Sequence, residues 1–214
     1  KVSLSFTYQG VTENYLRQVA DYAAEYGVLT GYRRANFKGN RINSQMFSGY
    51  LSYSPNKYFN AQIGNDKQFW GEGYRSLFLS DNSSNNPYLK LTTNFWRIKY
   101  VYLLNVMRYG QVNGFNIDNN PSHFKTKYGA YHLVSVDVTK WMQFNFFEGV
   151  TWYHNDSNRV RGMEVSYLIP VAFIRPVEFA LGSPDNVVLG IGMKFKASPK
   201  QIFYTQIMLD DMDV

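Results

Sequence analysis

Over 187–195 every second side chain is apolar. Val187, Leu189, Ile191, Met193 and Phe195 share one side of an extended chain, while Val188, Gly190, Gly192, Lys194 and Lys196 share the other. Successive side chains of a strand point to opposite faces, so this two-residue period specifies a strand with one apolar and one polar face. The split recurs at Phe59, Ala61 and Ile63 against Tyr58, Asn60, Gln62 and Gly64, and at Val134, Val136 and Val138 against Ser135, Asp137 and Thr139. Ile98, Tyr100, Tyr102, Leu104 and Val106 make another apolar side, and further strands are predicted over 2–8, 47–53, 88–93, 143–153, 163–169 and 202–209. Polar stretches at 37–44, 80–87, 110–122 and 155–161 read as loops.

Composition supports strands. Aromatic residues make up 18% of the 214 residues and charged residues 18%, against roughly 25% charged in an average soluble protein. Aromatic side chains suit a pleated surface, and tyrosine suits a boundary that is apolar at one end and wet at the other. The period changes only near the N-terminus, where Tyr15, Val19, Tyr22 and Tyr26 follow at spacings of four, three and four. That spacing fits a short amphipathic helix, with a strand over 22–33 as the alternative reading.

No apolar run reaches the ~18 residues that a membrane-crossing helix needs. Strands of up to about ten residues, alternating and joined by polar segments, are the pattern of an antiparallel transmembrane outer-membrane β-barrel, in which the apolar faces meet lipid. The expectation is one β-barrel domain over 1–214, an incomplete portion of a larger barrel and an internal part of a longer chain. A soluble sandwich gives the same alternation with its apolar faces turned inward. Glu148 resists the barrel assignment, because it shares parity with Phe144, Phe146, Val150 and Trp152. A bulge near Phe146 and Phe147, or a place at the rim, would take it away from lipid.

The chemistry-bearing residues argue against catalysis. There are three histidines, His123, His132 and His154, and no cysteine. His154 is followed by Asn155 and Asp156, with Ser157 three positions on, so the histidine-serine spacing of outer-membrane phospholipases is missing. His132 lies on the face of Val134 and Val136 and reads as a packing or rim residue. The scattered histidines and the acidic Asp210-Asp211-Met212-Asp213 patch match no metal-binding pattern, and Gly71-Glu72-Gly73 lacks the third glycine of a dinucleotide loop. No catalytic residue, metal or cofactor is therefore expected. A net charge of +6 suits nucleic acid, anionic headgroups or an acidic polysaccharide, and without an arginine-rich helix or zinc finger nucleic acid is set aside.

The densest segment runs from Gly64 through Asp66, Lys67, Trp70, Gly71, Glu72, Gly73, Tyr74 and Arg75 to Asp81. Rings beside charged hydrogen-bonding groups can take a sugar, whose faces stack and whose hydroxyls need partners. The stronger reading is an internal ion-pair network that pins a reentrant loop inside the barrel. Lys90, Lys99, Lys194 and Lys196 lie opposite the apolar faces, where they would line a lumen and attract an acidic glycan. The candidate ligand-binding residues are Asp66, Lys67, Trp70, Tyr74, Arg75, Lys90, Lys194 and Lys196.

Several strings in this region resemble the capsule-assembly Wzi family and its RemB-like, gliding-motility-associated relatives. They are Gly64-Asn65-Asp66-Lys67, then Gly71-Glu72-Gly73-Tyr74-Arg75-Ser76-Leu77-Phe78-Leu79-Ser80-Asp81, then Tyr88-Leu89-Lys90-Leu91-Thr92-Thr93. A second block contains Tyr167-Leu168-Ile169-Pro170, Pro176-Val177-Glu178-Phe179, Gly182-Ser183-Pro184-Asp185-Asn186 and Tyr204-Thr205-Gln206. The resemblance implies a bacterial outer-membrane, cell-surface barrel with a lectin-like role, which binds or organises capsular polysaccharide without a chemical step. A structural barrel of a gliding-motility or secretion complex, with protein partners, and a diffusion porin are the alternatives. Outer-membrane lipid and acidic surface polysaccharide are the implied partners.

Overall fold

The computed structural model describes residues 1–26, 35–38, 41–110, 124–156, 159–170 and 185–210. The strands are β1 (Val2–Asn14), β2 (Ala35–Lys38), β3 (Arg41–Tyr53), β4 (Phe59–Asp66), β5 (Asn86–Phe95), β6 (Ile98–Gly110), β7 (Phe124–Asp137), β8 (Met142–Tyr153), β9 (Asn155–Asp156), β10 (Arg159–Val160), β11 (Asn186–Ser198) and β12 (Gln201–Asp210). A helix α1 (Arg17–Tyr26) follows β1, and a 3₁₀ turn spans Val165–Leu168. All pairing is antiparallel, in the order β1-β3-β4-β5-β6-β7-β8-β11-β12, with β2 paired to β3 and the short β9 and β10 paired to each other.

The alternation places the strands as expected, and it also sets their register. Leu4 faces Leu51, Ile63 faces Leu89, Tyr100 faces Val134, and Ile191 lies between Phe146 and Ile207, so apolar side chains stack with apolar side chains across the sheet. A one-residue slip would move every one of them to the other face. β5 turns into β6 through Trp96 and Arg97 alone, and Trp96 takes the positive φ of 53° that such a two-residue hairpin demands.

The expected barrel is not formed. Among the described residues β1 and β12 are the two ends of an open sheet, and neither pairs with the other. A strand edge carries a row of unpaired N–H and C=O groups, and only a closed barrel removes them within hydrocarbon. The open sheet therefore overturns the transmembrane barrel, its outer-membrane location and the functions that rested on closure: the capsule-organising barrel, the motility or secretion barrel and the porin.

The two faces are not a lipid side and a lumen side either. β6 reads Tyr100-Val101-Tyr102-Leu103-Leu104, apolar on both parities, as a strand buried on both faces does. On one face, residues 67–85 fold back over the sheet, and Trp70 and Phe78 pack against Val101, Leu103, Tyr131, Leu133 and Phe147. On the other, residues 161–170 cover Tyr102, Leu104, Ala130, Val150 and Trp152 with Tyr167. Tyr102 donates to the Tyr167 carbonyl at 3.0 Å and the Trp152 indole donates to the Gly162 carbonyl at 3.1 Å.

Local differences have local causes. The strand expected over 163–169 is a 3₁₀ turn, because its apolar residues serve as a lid over the sheet. The loop expected over 37–44 is largely strand, since Ile42 and Ser44 are buried in the β3 ladder. The 155–161 loop contains the β9–β10 hairpin. The helix starts only at Arg17, after β1 has run through to Asn14. β8 keeps continuous register with β7 and β11, so the bulge expected near Phe146 is absent; the irregular step lies at Lys196 and Ser198 instead. The loop expected over 110–122 lies outside the described residues beyond Gly110.

Candidate functional site

Residues 67–85 reach their position through one antiparallel bridge and one glutamine. Trp70 N–H donates to the Leu79 carbonyl at 2.9 Å, closing the segment on itself. Gln206 on β12 then accepts from Leu77 N–H at 3.1 Å and donates to Ser76 Oγ at 3.1 Å. Gly71 has φ 112°, and a Cβ there would stand 2.1 Å from Gln206 Nε2, so glycine is required for this contact. Lys194 reaches Glu72 at 2.8 Å. Both side chains are about a quarter exposed, so the pair fixes direction more than it adds stability. The apolar anchors Trp70 and Phe78 hold the segment down.

Where this segment meets β4, β5 and β6 it leaves a polar cavity of ≈ 360 Å³. Asp66, Lys67, Gln68, Tyr88, Lys90 and Lys99 are among its lining groups, with Trp70 at one wall. Lys90 donates to Gln68 Oε1 at 3.3 Å and stands 5.5 Å from the centre of the Tyr88 ring. Burial lowers the Lys90 pKa, the neighbouring Lys99 charge lowers it further, and Asp66 acts in the opposite direction. Burial, aided by Asp66, pushes the Tyr88 hydroxyl up to about 12, so it remains a neutral donor near pH 7.

Of the residues singled out from the sequence, Asp66, Lys67, Trp70 and Lys90 come together here. Lys194 and Lys196 do not; they line a separate small cavity beside Asp137 and Gln143. Tyr74 is 88% exposed and its ring lies 5.6 Å from the Arg75 guanidinium, out in solvent. Sequence reading missed Gln68 and Tyr88. The parity shared by Tyr88 and Lys90 was the available signal.

The opposite face holds a second polar group in apolar surroundings. His132 is 6% exposed and faces Glu148 across the β7–β8 ladder. Tyr100 Oη contacts His132 Nδ1 and donates to the Pro170 carbonyl. With that hydroxyl proton engaged, Nδ1 carries the imidazole proton and Nε2 is a bare acceptor. His132 Nε2 is buried without a hydrogen-bond partner. Burial lowers the His132 pKa to about 4, from an ordinary value near 6.5.

Tyr100, Tyr102 and Glu148 surround that ring. In the unfolded chain the imidazole binds a proton below about pH 6.5 that the folded state refuses until about pH 4. The neutral ring's contribution is thus whole above pH 6.5 and is lost as pH falls through this window. Urea titrations of wild type and His132→Phe from pH 7 to 4 are expected to show wild type losing about 3 kcal/mol more than the variant. Parallel pH profiles would contradict this assignment.

Among the described residues no group of three or more His, Cys, Asp or Glu side chains is placed to hold a metal ion. The arrangement defines an open antiparallel β-sheet domain with a lysine-lined cavity under a folded-back segment. No family model, curated protein or solved structure matches the chain, so the resemblance to the Wzi and RemB-like proteins rests on the quoted strings alone.

Proposed function

We propose that this domain is a non-catalytic binding module that takes a small carboxylate-bearing anion into the cavity formed by Lys67, Lys90 and Lys99. One observation carries the reading: three lysines converge on a polar cavity whose other groups are a neutral tyrosine, a glutamine and one aspartate. Lys90 is already partly desolvated, as its lowered pKa records, and an incoming carboxylate would restore a favourable partner to that charge. Gln68 and Tyr88 supply neutral hydrogen-bonding groups beside it.

Citrate is a suitable probe, with binding followed by calorimetry at low salt. Lys90→Met is expected to weaken citrate binding about tenfold, the loss of one charge-assisted hydrogen bond, and added salt is expected to weaken the wild type. Tyr74→Ala, outside the cavity, should leave affinity unchanged. Equal affinity in wild type, Lys90→Met and Lys99→Met would overturn the assignment.

A further inference from the structure

The face opposite the lysine cavity carries an apolar trough of ≈ 710 Å³ that runs from Tyr100 on β6, past His132, Phe146 and Glu148, to Ile191 and Leu209. It crosses β5 to β12, five strand spacings of roughly 4.8 Å each, and so suits an elongated guest. We propose that this trough binds a neutral single-chain amphiphile, its alkyl chain along Phe146 and Ile191 and its hydroxyl headgroup donating to His132 Nε2.

Two independent features select this occupant. A buried acceptor without a partner costs free energy that a donor restores, and His132 Nε2 is such an atom. It is also the acceptor of a neutral ring, held in one tautomer by Tyr100 and the Pro170 carbonyl. The second feature is charge. Glu148 lines the same end of the trough, so a fatty carboxylate would bring like charge against it, while an uncharged hydroxyl would not. Phe146 and Ile191 are about half exposed, leaving the apolar path open to a chain. The volume lies within the range of small-molecule sites.

The test uses the whole chain and three oleoyl probes measured by displacement of a fluorescent fatty-chain reporter: 1-monooleoylglycerol, methyl oleate and oleate. Monooleoylglycerol is expected to bind about tenfold more tightly than methyl oleate, which lacks the donor, and more tightly than oleate. His132→Phe keeps the ring and removes the acceptor, so it should erase the difference between the first two. Ile191→Asp, at an exposed position, should weaken all three while leaving citrate binding intact.

Equal binding of monooleoylglycerol and methyl oleate by wild type would overturn the headgroup assignment. Preference for oleate would overturn the role given to Glu148. Self-association abolished by Ile191→Asp, with no probe bound, would make the trough an interface between copies and sink the proposal. These outcomes are separate from those of the lysine cavity, which lies on the other face.

Discussion

Asp185→Ala is expected to lower the free energy of unfolding by about 3–5 kcal/mol, the cost of leaving a buried charge without its partner. The Arg161 and Asp185 side chains are each 3% exposed. The guanidinium meets the carboxylate through two parallel contacts, Nη1 to Oδ1 and Nη2 to Oδ2, the latter at 2.8 Å. Tyr167 donates to the same carboxylate at 2.8 Å. The hydrogen bond to Asp185 is the main cause of the raised Arg161 pKa, so the guanidinium stays charged when its partner is removed. Glu164, 3.7 Å away and more exposed, offers weaker compensation.

This cluster ties residues 161–170 to the start of β11 and so keeps Tyr167 over Trp152, their ring centres 4.9 Å apart. Denaturant titration of Asp185→Ala gives the loss directly. The triple variant Arg161→Met, Tyr167→Phe and Asp185→Leu removes every member of the group together, and it should recover most of that stability, because apolar replacement of a whole buried ion pair is often neutral or favourable. An Asp185→Ala variant as stable as wild type would show that the pair is not buried in solution.

Phe78→Ala has a comparable expected effect, about 3–5 kcal/mol. Phe78 is 5% exposed and stacks on Phe147 with ring centres 5.0 Å apart and planes 6° apart. It sits in a recess made by two glycines: a Cβ on Gly190 would come within 2.5 Å of its ring, and one on Gly192 within 3.2 Å. Truncation leaves this recess empty and removes the main apolar anchor of residues 67–85. Faster proteolysis within that segment and weaker citrate binding should accompany the loss, because Gln68 and Trp70 belong to both segment and cavity. Tyr74→Ala in the same segment is expected to stay within about 0.5 kcal/mol of wild type. Equal losses from the two variants would mean that the segment does not dock through Phe78.

The lysine cavity was partly legible beforehand. Asp66, Lys67 and Trp70 are close in sequence, and Lys90 shares the polar parity of its strand, so their types and facing could be read locally. Their convergence could not, because it depends on residues 67–85 turning back over β5 and β6. That turn rests on Phe78 finding Gly190 and on Leu77 finding Gln206, partners more than a hundred positions away. Lys194 was grouped with Lys90 by parity, yet it is engaged by Glu72. His132 was read as a packing residue, and its orphaned Nε2 emerged only once Tyr100 and Pro170 were placed around it.

By itself the sequence determined the strands, their two faces and much of their register, because a two-residue period is a property of the local backbone and a slip would expose every apolar side chain. Tertiary structure alone decided that the sheet stays open. Closure requires the first and last strands to meet, and alternation is identical in an open sheet, a sandwich and a barrel. It also decided what lies on each face, since covering an apolar surface with residues 67–85 or 161–170 satisfies the same pattern that lipid would.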